Sequence, residues 1–140
     1  MKNSGNKHLK EFEAFMKVRL KASTEFVEGN SEPLKEISTT ESPATIFPPT
    51  GTFIRDAIEV NKFNEKGAAG FLPGAKNEFE IFHQDADEHL AYWTGIQRSK
   101  VKMSNQTEDV LFNLRITEIF RKEEGKWKLI HRHADQLKEK

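Results

Sequence analysis

The stretch that decides the fold of this chain is residues 110–135, VLFNLRITEIFRKEEGKWKLIHRHAD. β-Branched, aromatic and aliphatic residues alternate with polar ones over about 110–121 and again over about 126–135, which is typical of half-buried β-strands. The polar residues between the two strands end in Gly125, which can adopt the positive φ that tight hairpin loops need. The sequence therefore predicts a long antiparallel hairpin in the last third of the chain.

The elements before this hairpin are predicted from the spacing of apolar residues. Steps of three and four residues predict helices over about 8–28 and 54–67, and Pro33 after a capping residue predicts a short helix over 32–37. Alternation predicts strands over about 44–47, 77–84 and 89–103, with a glycine-rich loop over 67–76.

The order α, α, β, α, β, β, β, β predicts one α+β domain over residues 8–136, with loose ends at 1–7 and 137–140. A single antiparallel sheet must bury one face against the early helices. Because its strands are long, we expect the sheet to curve around the first helix and to leave a conical cavity between helices and sheet.

The composition excludes several classes of protein. Lys plus Arg and Asp plus Glu both number 22, so a zero net charge without a basic run gives no reason to expect nucleic-acid binding. Without cysteine, the sequence offers no disulfide framework and no thiolate chemistry. It shows neither a signal-peptide apolar region near its start nor a run of roughly 20 apolar residues. We therefore expect a cytoplasmic protein that does not enter the membrane, and we predict no cofactor.

Three segments resemble a known family: RITEIFRKEEGKWKLIHRHAD at 115–135, ATIFPPTG at 44–51 and HLAYWTGIQ at 89–97. They are similar to SnoaL-like domains of the nuclear transport factor 2-like (cystatin-like) superfamily. Ketosteroid isomerases and the association domain of calcium/calmodulin-dependent protein kinase share that fold. The resemblance implies a cystatin-like cone with a central cavity. It implies no particular activity, because the fold hosts enzymes, binding proteins and assembly modules.

The resemblance also allows a comparison with the ketosteroid isomerase site. The positions that match its general-base aspartate, its oxyanion-hole tyrosine and its protonated aspartate are Pro48, Ala22 and Thr117. Proton abstraction needs a base within reach of the proton and donors aimed at the developing oxyanion, and none of these three residues supplies the group required. We therefore expect no ketosteroid isomerisation, and the enzyme status of the chain stays open.

The two faces of the predicted hairpin allow two arrangements. The register implied by the resemblance turns Arg115, Thr117 and Arg132 towards the helices, and Tyr92 of the middle strand would join them. Two arginines in one cleft need a counter-charge, which is either a protein carboxylate such as Asp56 or Glu59, or a bound small organic anion. In this arrangement the four ligand-binding candidates are Tyr92, Arg115, Thr117 and Arg132.

The alternation by itself favours the opposite arrangement, in which the apolar face packs against the helices and the arginines face solvent. In the first arrangement an apolar row would lie on the convex face of the sheet and would need cover, most simply from a second subunit. The sequence then predicts a homodimer through the sheet face. The row consists of Phe112, Leu114, Ile116, Trp127 and Leu129.

Two further groups of polar residues have competing interpretations. His131, His133 and Asp135 share one face of a strand and are zinc-type ligands, but no further ligand has a matching spacing, so we predict no metal site. The acids and histidines of residues 83–89 fall at a turn, where such side chains are usually solvated. Three functions stay open: a protein that binds a small organic anion, an oligomerisation or accessory module, and an isomerase, cyclase or hydrolase with other catalytic residues.

Overall fold

The computed structural model describes residues 6–138 of the chain, and over this range it is an α+β domain, as predicted. The described residues form three helices and seven strands. The helices are α1 (Lys7–Phe26), α2 (Glu32–Ile37) and α3 (Ala57–Ala68). The strands are β1 (Thr45–Phe47), β2 (Ile54–Arg55), β3 (Phe71–Ala86), β4 (Leu90–Met103), β5 (Val110–Leu111), β6 (Leu114–Glu123) and β7 (Lys126–Gln136).

The strands join in one sheet of order β2-β1-β7-β6-β4-β3, and β5 pairs with β4 beside β6. All described neighbours are antiparallel except β1 and β7, which run parallel. The long strands β3, β4, β6 and β7 form the predicted meander. Helix α1 contacts β3 and helix α2 contacts β7 of this meander, while α3 contacts β1 and β2. No helix among the described residues is long and apolar enough to cross a membrane.

The predicted hairpin is present as β6 and β7. Its turn residues Glu124 and Gly125 have φ of 51° and 80°, the two successive positive values that suit a two-residue hairpin loop. One irregularity breaks the pairing: Ile119 pairs with His131 and Phe120 with Leu129, which leaves Ile130 as an extra residue. Such a bulge shifts the side chains of one strand by one position relative to the other.

Helix α1 packs its buried stripe against the inner face of this hairpin. Its N-cap residue is Asn6, whose Oδ1 accepts bonds from the backbone N–H of His8 and Leu9. The helix therefore begins at Lys7, one residue before the predicted start. The buried stripe falls at steps of three and four residues and includes one charged side chain; it consists of Phe12, Met16, Arg19, Ala22 and Ser23.

Aromatic rings fill the space between α1 and the hairpin turn. Phe12 makes edge contacts with Phe120 and Trp127 at centroid distances of 5.3 and 5.7 Å, and Phe15 meets Phe120 at 5.4 Å. Burial of four large rings at one end of the cone stabilises the docking of α1 on the sheet.

Three predicted boundaries are wrong. The segment 67–76 is not all loop, because β3 begins at Phe71; Glu28 accepts bonds from the N–H groups of Gly74 and Ala75 there. The predicted strand 110–121 is interrupted at 112–113, where the Phe112 N–H donates to Ser99 O. The short strand β2 lies where the third helix was expected to start. Loose ends are predicted at 1–7 and 137–140, and of these residues 1–5 and 139–140 fall outside the described part of the chain.

Candidate functional site

A cavity of about 420 Å³ lies between α1, α3 and the inner face of the sheet. Its wall is mainly apolar and includes Phe26, Phe63, Phe71, Leu114 and Leu129. None of the described residues that line it is Asp, Glu or His. A mostly apolar hollow of this size with a few polar groups has the properties of a small-molecule site.

Two arginines give the cavity wall its charge, and both bind one buried glutamate. Arg19 of α1 donates from Nε to Glu118 Oε1 at 2.8 Å and from Nη2 to Oε2 at 2.6 Å. Arg132 of β7 donates from Nη1 to Oε2 at 2.6 Å, and the indole N–H of Trp93 donates to Oε1 at 2.8 Å. Each carboxylate oxygen of Glu118 thus accepts two hydrogen bonds, so Glu118 fixes both guanidinium groups.

This cluster of Arg19, Glu118 and Arg132 is ionised. Burial raises the pKa of Glu118, but the charges of the two arginines and their hydrogen bonds outweigh burial and lower the pKa from 4.5 to about 2. Burial lowers the pKa of Arg132 more than the charge of Glu118 raises it, although an arginine stays protonated in either case. The cluster therefore holds two positive charges and one negative charge.

A second set of hydrogen bonds holds Arg132 from the other side. Its Nη2 donates to Gln97 Oε1 at 2.9 Å, and Gln97 Nε2 donates to Asn77 Oδ1 at 3.1 Å. The Asn77 amide in turn donates to Ser23 Oγ on α1 at 3.0 Å. The guanidinium is positioned by neighbours on three strands and one helix, so its orientation at the cavity is fixed before any ligand arrives.

One buried nitrogen of the cluster makes no hydrogen bond within the described part of the chain. Arg19 Nη1 is buried and has no hydrogen-bond partner among the described residues. The Arg19 side chain is 2% exposed and lines the cavity. A buried charged donor without a hydrogen-bond partner is costly, so a further negative charge close to the cluster would stabilise it.

Only one of the four predicted ligand residues, Arg132, lines the cavity. The predicted orientation of Arg115 and Thr117 is wrong, because both are exposed on the outer face of the sheet. Arg115 is 62% exposed and pairs there with Asp135, while Thr117 bonds to Thr94. Tyr92 also lies outside the cavity lining, and its hydroxyl contacts His83 Nδ1 at 2.8 Å.

The predicted apolar row is on the inner face rather than the convex one. Leu114, Ile116, Trp127 and Leu129 are buried in the core, and Phe112 is half-buried. Strict alternation from Leu129 would have turned Arg132 outward. Since the bulge at Ile130 adds one residue, Leu129 and Arg132 both face inward. Neither of the two arrangements considered for the hairpin allowed this.

The counter-charge expected for the arginines is also corrected. Arg132 pairs with Glu118 and Arg115 pairs with Asp135, rather than either with Asp56 or Glu59. Glu118 gave a signal in the sequence, because it interrupts the alternating apolar residues Leu114, Ile116 and Phe120. Arg19 gave a weaker one, because it falls within the helical spacing of the α1 stripe. Their pairing joins residues far apart in the chain, which spacing does not reveal.

The comparison with the ketosteroid isomerase site needs one correction. Thr117 does not reach the cavity, and its neighbour Glu118 faces inward. With a pKa of about 2, Glu118 is a carboxylate at neutral pH and cannot donate a hydrogen bond to an oxyanion. Pro48 lines the cavity, as expected for the position of the general base, and a proline side chain supplies no base there.

The strand histidines lie on the outer face. His131 Nδ1 is 2.7 Å from Thr45 Oγ1, and the Phe47 ring makes edge contacts with His131 and His133 at 4.9 and 5.4 Å. Burial, followed by the charge of His133, lowers the pKa of His131. Among residues 6–138 there is no group of three or more His, Asp or Glu side chains that could hold a metal ion.

Comparison with solved structures places this fold among the nuclear transport factor 2-like, or cystatin-like, proteins. A nuclear transport factor 2-like superfamily protein from Salmonella enterica serovar Typhimurium superposes with a TM-score of 0.76 at 10% identity, over 93% of this chain and 91% of the other. A putative dehydratase of the same family from Streptomyces avermitilis gives 0.74 at 15%, over 94% and 96%.

The association domain of the calcium/calmodulin-dependent protein kinase II of Caenorhabditis elegans gives a TM-score of 0.69 at 14% identity, over 96% of this chain and all of the other. No protein-family model matches the sequence, and no curated protein matches it. At these identities the likeness shows the fold, and the function has to be argued from the site.

Proposed function

We propose that this protein binds a small organic anion, a carboxylate with an apolar body, in the cavity above Arg19 and Arg132. The observation that supports the proposal most directly is the excess positive charge of the cluster, since Arg19 and Arg132 line the cavity and share one glutamate. A ligand carboxylate is the acceptor that a guanidinium nitrogen binds most strongly. The apolar wall suits the remainder of such a ligand.

Binding is favoured over acid–base catalysis by the chemistry of the cavity wall. General acid–base catalysis needs a group with a pKa near the working pH within reach of the substrate. The described lining residues offer arginine, serine, threonine and amide side chains, and none of these titrates near neutrality. The proposal therefore does not extend to an isomerase, cyclase or hydrolase.

A thermal-shift screen tests this proposal. Benzoate, phenylacetate and hexanoate are compared with their neutral alcohols on the wild-type chain. A ligand at a hundred times its Kd adds about 2.7 kcal/mol, which raises Tm by roughly 10 °C in a domain of this size. We expect at least one carboxylate to raise Tm more than its alcohol does.

Two variants show whether the carboxylate that raises Tm binds in the cavity or on the outer face of the hairpin. Arg132→Met removes a cavity guanidinium and should abolish the shift. Arg115→Ala removes an arginine of the same hairpin from the outer face and should leave the shift unchanged. The proposal is wrong if no carboxylate in the screen exceeds its alcohol, or if Arg115→Ala weakens binding as much as Arg132→Met does.

We propose in addition that the outer face of the sheet forms a homodimer, for a reason different from the predicted apolar row. Neighbouring strands place a strip without Asp, Glu, Lys or Arg across this face; it consists of Thr45, Tyr92, Thr94, Thr117, Ile119, His131 and His133. The ion pair Arg115–Asp135 and the pair Arg98–Glu80 lie beside the strip. A centre poor in charge with a charged rim is the usual composition of a protein interface.

A second copy suits this strip because a twofold axis through the sheet pairs it with itself. Light scattering at micromolar concentration should give twice 16.1 kDa for the wild type. The variant Thr117→Arg, which places two like charges near the axis, should give a monomer. A wild type that stays at 16.1 kDa would contradict the proposal.

A further inference from the structure

The cluster of Arg19, Glu118 and Arg132 has one more positive charge than negative charge. Glu118 is in contact with both guanidinium groups, and the described lining of the cavity offers no other acid to offset the excess. The pairs Arg98–Glu80 and Arg115–Asp135 are exposed and screened by solvent, and Arg121–Glu123 is a part-buried pair of opposite charges, so none of them adds net charge to the cavity. The cavity wall therefore presents a single net positive charge.

The hydrogen bonds of the cluster occupy the carboxylate fully but leave guanidinium N–H groups over, because each guanidinium has five N–H donors. Both oxygens of Glu118 already accept two donors, and the two terminal nitrogens of Arg132 donate to Glu118 and Gln97. The buried guanidinium nitrogen that is left without a partner among residues 6–138 is Arg19 Nη1. The single excess positive charge matches one carboxylate.

A second negative charge on the ligand would have no counter-charge. The cavity wall beyond the cluster is mainly apolar, with Phe26, Val60, Phe63 and Phe71. Moving an unpaired carboxylate from water into such surroundings is costly, while a methyl or phenyl group gains by the same transfer. The apolar wall thus penalises the second charge of a dicarboxylate.

We infer that the cavity selects monoanions over dianions, and that Glu118 sets this selectivity by neutralising one of two arginines. The inference rests on the proposed anion site and adds the charge class of its ligand. Glu118 is a positioning residue in this role, because its two oxygens are occupied by protein donors and do not touch the ligand. Without Glu118 the same wall would present two positive charges.

Isothermal titration calorimetry at neutral pH tests the inference with matched aliphatic series. The monocarboxylates butanoate, hexanoate and octanoate are compared with succinate, adipate and suberate and with the corresponding alcohols. Each trio has one chain length and differs in its end groups, which carry one, two or no negative charges. For the chain length that binds best, we expect the monocarboxylate to bind at least about tenfold more tightly than the dicarboxylate and the alcohol.

Two cluster variants move the charge in opposite directions. Arg19→Met makes the cluster neutral, keeps Glu118 paired with Arg132, and should bring the monocarboxylate and the alcohol to similar affinity. Glu118→Gln makes the cluster doubly positive and should shift preference towards the dicarboxylate by about tenfold or more relative to wild type. Arg115→Ala should change none of these ratios. If Glu118→Gln does not fold, the wild-type ratios and Arg19→Met still decide the question.

The outcomes separate the two proposals. If a dicarboxylate binds wild type as tightly as its monocarboxylate, and both bind better than the alcohol, the charge selectivity is wrong and the anion site stands. If the alcohol binds as tightly as the monocarboxylate, or if no member of the three series binds, the anion site itself is wrong. If the ratios in Arg19→Met equal those of wild type, the excess charge does not select the ligand.

Discussion

The two faces of the β6–β7 hairpin each hold an arginine–carboxylate pair of nearly the same geometry. On the inner face, Arg19 donates hydrogen bonds to Glu118 from Nε at 2.8 Å and from Nη2 at 2.6 Å. On the outer face, Arg115 donates hydrogen bonds to Asp135 from Nε at 2.7 Å and from Nη2 at 2.8 Å. The hydrogen-bond distances therefore do not distinguish the two pairs. Their solvent exposure does: the side chains are 2% and 0% exposed in the inner pair and 62% and 39% exposed in the outer pair.

What differs is the surrounding dielectric and the number of charges. Water screens the outer pair, and either partner can be solvated when the other is lost. The inner pair has a second cation beside it, Arg132, and Arg19 and Glu118 themselves are buried, so water does not readily replace a missing partner. The inner cluster is therefore expected to govern stability and ligand charge, and the outer pair to influence neither strongly.

The largest expected effect comes from removing the inner carboxylate. Glu118→Gln leaves two buried guanidinium groups without a counter-charge and should lower the free energy of unfolding by about 3–5 kcal/mol. Asp135→Asn, the matched change on the outer face, should have little effect because Arg115 is solvated. Urea unfolding followed by tryptophan fluorescence measures both. Equal losses in the two variants would remove the proposed difference between the faces.

Acid should affect the inner cluster next. The folded-state pKa of Glu118 is about 2, below the ordinary 4.5, so its contribution is complete above about pH 4.5 and is lost as the pH falls towards 2. The shift corresponds to about 3 kcal/mol of stability. Carbon-13 NMR titration of the Glu118 carboxyl measures the pKa, and urea unfolding of wild type over this pH range measures the loss. A titration midpoint near 4.5 would contradict the prediction.

The smallest expected effect is on the outer face. Arg115→Ala should change Tm little in low salt, and about 1 M NaCl should remove the difference from wild type, because salt screens exposed pairs. The destabilisation caused by Arg19→Met should persist in the same salt, since its partner is buried. Thermal unfolding of both variants at two salt concentrations tests this. A salt-dependent Arg19→Met effect would mean that water reaches the inner cluster.

Much of the fold was predictable because its determinants are local. Alternation defined the two hairpin strands, Gly125 identified the turn, and α2 runs over Glu32–Ile37 as expected. The α+β class followed from the order of the elements. The boundaries that were missed depend on distant partners: β5 ends where Phe112 turns to bond Ser99 of β4, and the start of β3 is held by Glu28.

The candidate site was predictable only in part. Arg132 was expected in the cavity and lies there, but Arg115 and Thr117 were assigned to the wrong face. The alternating residues Leu114, Ile116 and Phe120 indicate the buried face of β6. The acidic residue within this alternation, at position 118, indicates where a buried polar site lies. The sequence does not show which residues pair with Glu118, because Arg19 and Arg132 lie on other elements of the fold.

The sequence by itself determined which segments are helices and strands, because hydrophobic period and turn residues act over a few positions. The tertiary structure decided which side chains meet. One bulged residue, Ile130, turns Arg132 inward, and the docking of α1 brings Arg19 to Glu118 across the core. Since a shift of one residue reverses the face of every side chain beyond it, the charge of the cavity depends on a strand register that local patterns do not specify.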